Sequence, residues 1–424
     1  MKNIIQTILK ILARLVLLRY RPDIIGITGS VGKSSTKEAV FVVLKHQFNV
    51  RRNEKNYNNE LGLPLAIIGK ESPNKSVFGW LGVFLKALSL ILIGSRKYPK
   101  ILVLEMGADK PGDIGYLLKI IPKKLLRIGI VTAIGASHLE FFKSIDNVLK
   151  EKKQLLSGVR DDGWAIINQD DERSGQLKER INSKILTYGL DEKADARAIE
   201  KRFSEDKGIN FKLMYKGSFV PIHLSDALGE HQIYAALAGA AVGISYHLNL
   251  VAISESLKNY KSLPGRMKRI PGIKQTTIID DSYNSSPSAC KRALETLARL
   301  ASRGRKFAVL GDMLELGGYT EEAHREIGRL VAKLGIDQLI TIGEAAKDIA
   351  TSALRAGMDK QDIFKFSASE EAGKFIQERL EHGDLILIKG SQGMRLEKIT
   401  KEIMAEPLKA KKLLVRQSEQ WLKR

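Results

Sequence analysis

The run Gly26-Ile27-Thr28-Gly29-Ser30-Val31-Gly32-Lys33-Ser34-Ser35 carries the residue types that wrap a backbone around nucleotide phosphates. Glycines let consecutive N–H groups converge on phosphate oxygens, Lys33 supplies a point charge for the outer phosphates, and the Ser34 hydroxyl can ligate magnesium. Ile27 stands where the generic phosphate loop has its first glycine, so the pattern is the variant T-G-x-x-G-K-S. An ordinary glycine-rich turn between strand and helix uses similar residues, so the reading depends on what accompanies the loop. Glu105, in Glu105-Met106-Gly107-Ala108, ends an apolar run, where a carboxylate can hold magnesium or polarise a reacting group. His138, in Ser137-His138-Leu139-Glu140, follows the next run; a hydrogen-bonded structural histidine is the alternative there. Lys152, in Lys150-Glu151-Lys152-Lys153, reads by itself as part of an exposed charged helix. Three later clusters, 280–287, 310–317 and 389–395, each follow an apolar run directly. Capping and turn residues would explain any one of them, whereas three together predict the lip of a crevice at the carboxyl ends of parallel strands.

These groups need elements to hold them. Asp23 to Ile27 reads as a short buried strand, and residues 37–44 as the opening of a helix whose dipole favours anions. Apolar runs at 101–104, 128–131, 164–167 and 185–188 alternate with helical stretches, which predicts a mainly parallel sheet with helices on both faces. Residues 211–215 and 218–220 flank Lys216-Gly217 as an antiparallel hairpin, within the stretch 201–224, and an Ala-rich helix follows at about 234–246. A break at Leu263-Pro264-Gly265 separates a second alternating region, with strands at 277–280, 307–310, 338–342 and 384–388. The expected class is α/β: a P-loop-type central domain with a mainly parallel sheet, plus a second, Rossmann-like α/β domain. The expected boundaries are a basic amphipathic helix at 1–21, a central ATP-binding domain at 22–263 and a C-terminal domain at 264–424. The final stretch, 407–424, reads most simply as a solvated helix.

Length and composition narrow the class. The 424 residues allow two or three domains with separate cores. A lone cysteine, Cys290, forbids an internal disulfide and fits a reducing, cytoplasmic setting. A net charge of +21, from 69 basic and 48 acidic residues, draws the chain toward phosphorylated substrates, anionic lipid or nucleic acid. No zinc finger, RNA-recognition signature or Arg-rich arm is present, so nucleic acid is not an expected partner. Residues 4–18 mix Leu, Ile and Val with Lys10 and Arg14, and 77–93 form a second apolar stretch around Lys86. Buried helices and helices lying on a bilayer both suit these stretches; a transmembrane pass suits them less.

The order TGSVGKSS, Asn58-Asn59-Glu60-Leu61-Gly62-Leu63-Pro64, EMGA with Pro111-Gly112-Asp113-Ile114, SHLE, DDSYNSSP, LGDMLELG and KGSQGMRLEK runs from about residue 24 to about 399. It resembles the Mur ligase family, ATP-dependent amide ligases of cell-wall synthesis, and within it the branch that adds a D-alanyl-D-alanine dipeptide. The resemblance implies that Thr28, Gly29, Ser30, Val31, Gly32, Lys33, Ser34 and Ser35 hold ATP. It gives Ser34, Glu105 and His138 to two magnesium sites, and makes Lys33, Glu105, His138 and Lys152 the catalytic set. Lys152 falls fourteen residues after His138, where the family has a lysine carbamylated by carbon dioxide, a cation turned into a metal-stabilising anion. Gln232, Arg266, Asp281, Tyr283 and Asn284 match positions that approach ATP on domain closure. Asn58 and Asn59, with Lys389, Ser391 and Arg395, match positions that meet the substrates. The implied reaction turns a muramyl-peptide carboxylate into an acyl phosphate, which D-Ala-D-Ala or a similar amine attacks, releasing ADP and phosphate.

Several features depart from the family pattern. The phosphate loop begins almost at the first residue, so the UDP-sugar-binding domain that usually precedes it is expected to be missing. His231-Gln232 stands where His-Asn is usual, an apolar insertion occupies 77–93, and Gln392 replaces an arginine. A lipid-linked or folate-like acceptor is therefore an alternative, as is a non-catalytic ATP-binding partner of another protein. The expectation is a cytoplasmic monomer, with peripheral contact at the inner face of the membrane.

Overall fold

The computed structural model describes residues 2–54, 57–74, 76–204 and 208–422. Residue 1 of the expected N-terminal helix, 205–207 of the expected hairpin segment, and the last two residues lie outside the described residues. The first sheet takes nine strands: β1 (Asp23–Thr28), β2 (Val50–Arg52), β3 (Ile101–Glu105), β4 (Leu126–Val131), β5 (Trp164–Asn168), β6 (Lys184–Gly189), β7 (Ala196–Ser204), β8 (Gly208–Tyr215) and β9 (Ser218–Leu224). Their spatial order is β2-β3-β1-β4-β5-β6-β7-β8-β9. Pairing is parallel from β2 through β7 and antiparallel for β7–β8 and β8–β9. The central strands are apolar along their whole length because both faces are covered. Ile24 of β1 enters one core layer with Leu102, Leu126 and the helices Lys2–Tyr20 and Ile145–Ser157. Ile25 and Ile27 enter the opposite layer with Val40, Val43 and the Ala-rich helix His231–Ser245.

The second sheet has six strands: β10 (Lys268–Pro271), β11 (Thr277–Asp281), β12 (Lys306–Gly311), β13 (Gln338–Ile342), β14 (Ile363–Phe366) and β15 (Leu385–Lys389). The order is β10-β11-β15-β12-β13-β14, parallel except for the edge strand β10. In both sheets a strand later in the chain inserts beside an early one, β3 next to β1 and β15 next to β11, which creates a switch in winding direction. Crevices outside the carboxyl ends of the strands open at such switch points.

The α/β class and every strand expected from sequence are present. The additional strands β2, β7, β10 and β14 are short, or lie at or toward sheet edges, where apolar patterning is weak. The chain end corrects the expectation of one solvated helix. Residues 407–422 fold into short helical turns that bury Ala410 and Leu414 against the second sheet's core. Among the described residues no helix is long and apolar enough to cross a membrane. The stretch at 4–18 falls within the helix Lys2–Tyr20, and that at 77–93 forms the helix Val77–Leu92 with Ile93 as its C-cap, each helix with one face in the first core layer.

Candidate active site

The phosphate loop leaves β1 at Thr28 and turns through Gly29, whose φ of 148° suits glycine. A Cβ on Gly29 would lie 1.9 Å from Thr132 Oγ1, so the close approach of two loops also demands glycine. Thr132 and the residues after it extend β4 and brace the loop. The Thr132 hydroxyl donates to the Val31 carbonyl at 2.6 Å, and Ser30 N–H donates to the Ala133 carbonyl at 2.8 Å. Gly32 then adopts φ 85° and starts the helix Lys33–Leu44, whose N-terminal N–H groups and dipole favour an anion. The Lys33 ammonium donates to the Gly29 carbonyl at 2.6 Å, which holds it over the loop. Burial lowers the Lys33 pKa; nearby Glu105 opposes that shift and Arg266 adds to it.

Glu105, the last residue of β3, is 2 % exposed and gathers the partners that make such burial tolerable. Its Oε2 accepts from Ser34 Oγ at 2.8 Å and lies 3.4 Å from Lys37 Nζ, while Oε1 accepts from Asn58 Nδ2 at 3.2 Å. Asn53 pins the backbone of Glu105 from both sides, accepting from its N–H at 2.9 Å and donating to its carbonyl at 3.2 Å. Burial alone would raise the Glu105 pKa, but Lys37, Lys33, Arg266 and the Ser34 hydroxyl outweigh it and hold the carboxylate below the usual range. Arg266 arrives from the segment that opens the second sheet, and its Nη2 donates to Ser34 Oγ at 3.0 Å.

Lys152 lies on the helix Ile145–Ser157 and is 1 % exposed. Burial is the chief reason its pKa falls to about 7; Lys33 pushes it further down, and Asp109, Glu151 and Asp113 pull it back. Glu151 beside it accepts from Gly112 N–H at 2.9 Å and Ile114 N–H at 2.7 Å, tying this helix to the loop after β3. His138 has a left-handed backbone, φ 53°, with Nε2 3.5 Å from Asp109 Oδ1 and Nδ1 2.6 Å from Glu315 Oε2 of the second half. Ser34 and Glu105 are thus in direct contact, whereas among the described residues neither contacts His138. Nor do three His, Cys, Asp or Glu side chains form a metal-holding group there.

The second half brings its clusters to the carboxyl ends of β11, β12 and β15. Lys389 Nζ is 2.7 Å from Asp281 Oδ2 and donates to the Asn284 carbonyl at 2.9 Å. Ser391 Oγ accepts from Leu314 N–H at 2.9 Å, joining the loops after β12 and β15. The Arg266 guanidinium lies 4.0 Å from the centre of the Tyr283 ring, a cation–π contact.

Three of the residues expected to face ligands make contacts within the scaffold. Asn59 accepts from Gly62 N–H at 2.9 Å, in the turn that leads into the helix Gly62–Ile68. Gln232 is wholly buried: it accepts from the Tyr260 hydroxyl at 2.5 Å, and its Nε2 is 3.4 Å from the Arg266 carbonyl. Arg395 pairs with Glu397 at 2.7 Å and donates to the Trp421 carbonyl at 3.0 Å. Sequence reasoning missed Lys37, Asn53 and Asp109, and it placed Glu315 in the 310–317 cluster without pairing it with His138. Lys37 had a signal, since it stands one helical turn after Lys33 on the same face; the others become neighbours only through tertiary packing.

Comparison with known proteins agrees with this fold. The Mur ligase middle domain model matches residues 85–243, and the model of the Mur ligase, glutamate ligase domain matches 265–392. A UDP-N-acetylmuramoyl-tripeptide--D-alanyl-D-alanine ligase of Bacillus subtilis is 30% identical over 404 residues, covering 95% of this chain and 80% of the relative. The crystal structure of MurF ligase from Thermotoga maritima in complex with ADP superposes with a TM-score of 0.76 at 27% identity, covering 94% of this chain and 83% of the other. A MurF crystal structure from Acinetobacter baumannii gives 0.76 at 25% identity, covering 92% and 79%. With two domain models in order and a relative this similar along nearly its full length, the chain belongs to the Mur ligase family.

Proposed function

We propose that this chain is an ATP-dependent amide ligase of cell-wall precursor synthesis, joining D-Ala-D-Ala or a similar amine to a muramyl-tripeptide carboxylate. The observation that carries the reading is the buried contact of Ser34 with Glu105 beside Lys33, with Arg266 reaching it from the second half. A hydroxyl and a carboxylate offer the hard oxygens that magnesium prefers, and the loop has the glycine-lined approach that phosphates need. Ser34 and Glu105 would hold the ion, with His138 on a second site, and magnesium would supply charge neutralisation at the transferred phosphoryl group.

The loop N–H groups and Lys33 orient ATP, and the acceptor carboxylate takes its outer phosphoryl group, giving ADP and an acyl phosphate. The amine then attacks the acyl carbon, loses a proton and displaces phosphate, so an amide forms. Lys33 and Arg266 supply positive charge near the transferred group. Lys389, the last residue of β15, and Ser391, on the loop after it, would stand on the side of the amine. We further infer that Lys152 is carbamylated, because a buried amine with a pKa of about 7 is half neutral near pH 7 and can attack carbon dioxide. The cytoplasm, which supplies ATP and keeps Cys290 reduced, is the setting inferred for this reaction. A non-catalytic role is disfavoured by the retention of Lys33, Glu105 and Lys152 in one electrostatic neighbourhood.

The test is ADP release by the purified chain with magnesium and bicarbonate, against a panel of muramyl-peptide acceptors with and without D-Ala-D-Ala. The expected result is release that requires both acceptor and amine and falls by roughly a hundredfold or more in Lys33→Ala. Release indifferent to both organic substrates would overturn the ligase reading; release with a different acceptor alone would overturn the substrate.

A further inference from the structure

The two helices Lys2–Tyr20 and Val77–Leu92 each have a second apolar face that the core does not use. On the first, Leu9, Ala13, Val16 and Leu17 are fully buried, while Ile4, Ile8, Ile11, Leu15 and Leu18 recur at helical spacing on the exposed side. On the second, Val83, Ala87 and Leu90 face inward, and Phe78, Leu81, Leu85, Leu88 and Leu92 are exposed, Phe78 by 86%. The helices are locked together where they end: the Tyr20 hydroxyl donates to the Leu90 carbonyl at 3.0 Å, and Arg19 donates to the carbonyls of Ile91 and Ile93. Both belong to the same core layer, so both outer faces look away from the same side of the first sheet. More than half of the large apolar side chains exposed on the described surface lie on this pair. A patch on that scale marks a contact surface rather than ordinary surface apolarity.

Charge selects the occupant. Neither helix carries an aspartate or glutamate, and Arg14, Arg19, Lys86, Arg21, Arg96 and Lys97 are exposed on or beside them. In a chain of net charge +21, two copies facing through this surface would oppose like charges. A bilayer with anionic headgroups satisfies both properties, taking the apolar face into the acyl boundary and the cationic rim against phosphate. We propose that this helix pair docks the protein on an anionic membrane surface, lying in the interface without crossing it. The pair is joined to the site as well, because Gln6 donates to Glu60 at 3.1 Å, next to Asn58, which donates to Glu105. Docking therefore holds the loop at 58–60 near the bilayer.

The experiment is flotation of the full chain with phosphatidylglycerol-containing vesicles and with pure phosphatidylcholine vesicles, beside sedimentation without lipid. The wild type is expected to float with the anionic vesicles and to stay in the soluble fraction with the neutral ones. Leu81→Glu with Leu85→Glu is expected to lower partitioning by about tenfold or more, as is Lys86→Glu with Lys97→Glu on anionic vesicles. ADP release in solution by each variant reports that it remains folded. Wild type recovered as soluble protein with both vesicles, equal flotation on both, or variants that float like the wild type would each overturn the proposal. A lipid-free dimer that Leu85→Glu dissociates would overturn it in favour of a second copy.

Discussion

Lys152 provides the sharpest test of the chemistry because burial shifts its amine toward the neutral, reactive form. An ordinary lysine, with a pKa near 10.4, is neutral at pH 7 in only about one molecule in three thousand. With its pKa lowered to about 7 by burial and by Lys33, Lys152 is neutral in about half, a gain of about a thousandfold in reactive amine. Carbamylation adds carbon dioxide to the neutral amine and releases one proton; starting from the ammonium it releases two. The sign follows: lowering the pH opposes the modification twice, by charging the amine and by mass action of the proton. From pH 8 to pH 6 the neutral fraction falls from about nine-tenths to about one-tenth, a factor of about ten, and the released proton contributes about a hundredfold. The dissolved carbon dioxide needed for half-activation should therefore rise by about three orders of magnitude over that interval. The assay is ADP release at pH 6, 7 and 8 in buffers stripped of carbon dioxide and then titrated with bicarbonate, with the dissolved gas calculated at each pH. Labelled bicarbonate should give a carbamate carbon signal that Lys152→Ala lacks, and that variant should lose most activity and all response to bicarbonate. Full activity without carbon dioxide at pH 6, or wild-type turnover by Lys152→Ala, would refute the reasoning.

Other perturbations separate the parts of the site. Gly29→Ala places a methyl group against the Thr132 hydroxyl at a residue with φ 148°, and a nucleotide titration should show ATP binding weakened by about fivefold to a hundredfold, the equivalent of the roughly 1–3 kcal/mol such strain costs. Arg266→Ala removes the donor that reaches Ser34 across the two halves; steady-state kinetics should show kcat lowered by about a hundredfold, with ATP affinity changed only a few-fold. Glu397, 1 % exposed, pairs with Arg395 and Arg416, so Glu397→Ala leaves two cations uncompensated. Urea unfolding should show a loss of about 3–5 kcal/mol in the transition of the second half.

The phosphate loop was readable because its working atoms are contiguous: the glycines, Lys33 and Ser34 form one local turn. The sheets were readable because strands covered on both faces are apolar throughout. Lys152 was half readable. Its charged surroundings suggest solvent, yet Val148, Leu149, Leu155 and Leu156 flank it at helical spacing, and that stripe places position 152 inside. Asn59 carries two readings in sequence, because Asn is chosen as readily for a helix start as for a ligand. Glu315 was placed at the crevice lip with the rest of 310–317, but its approach to His138 was not readable, since it depends on how the two halves meet and no local pattern encodes that. The apolar helices supported two readings because each has two apolar faces, one packed and one open.

The chain end, which sequence alone leaves as a basic tail, changes how the second half is understood. The Arg416 side chain is 4% exposed, donates to the carbonyls of Ser282 and Tyr283 at 3.2 and 2.5 Å, and shares Glu397 with Arg395. The Tyr283 ring has Arg266 at 4.0 Å from its centre and Arg416 at 5.7 Å. One buried carboxylate therefore fixes Arg395, from the loop proposed to meet the amine, and through Arg416 the backbone of Tyr283, from the loop proposed to meet ATP. Those loops follow β15 and β11, adjacent parallel strands, so their spacing is already set by the sheet; the arm at 407–422 adds the angular restraint that a strand end lacks. Shortening the arm before Arg416 should accordingly impair ATP-side and amine-side steps together, a coupling that neither loop sequence contains by itself.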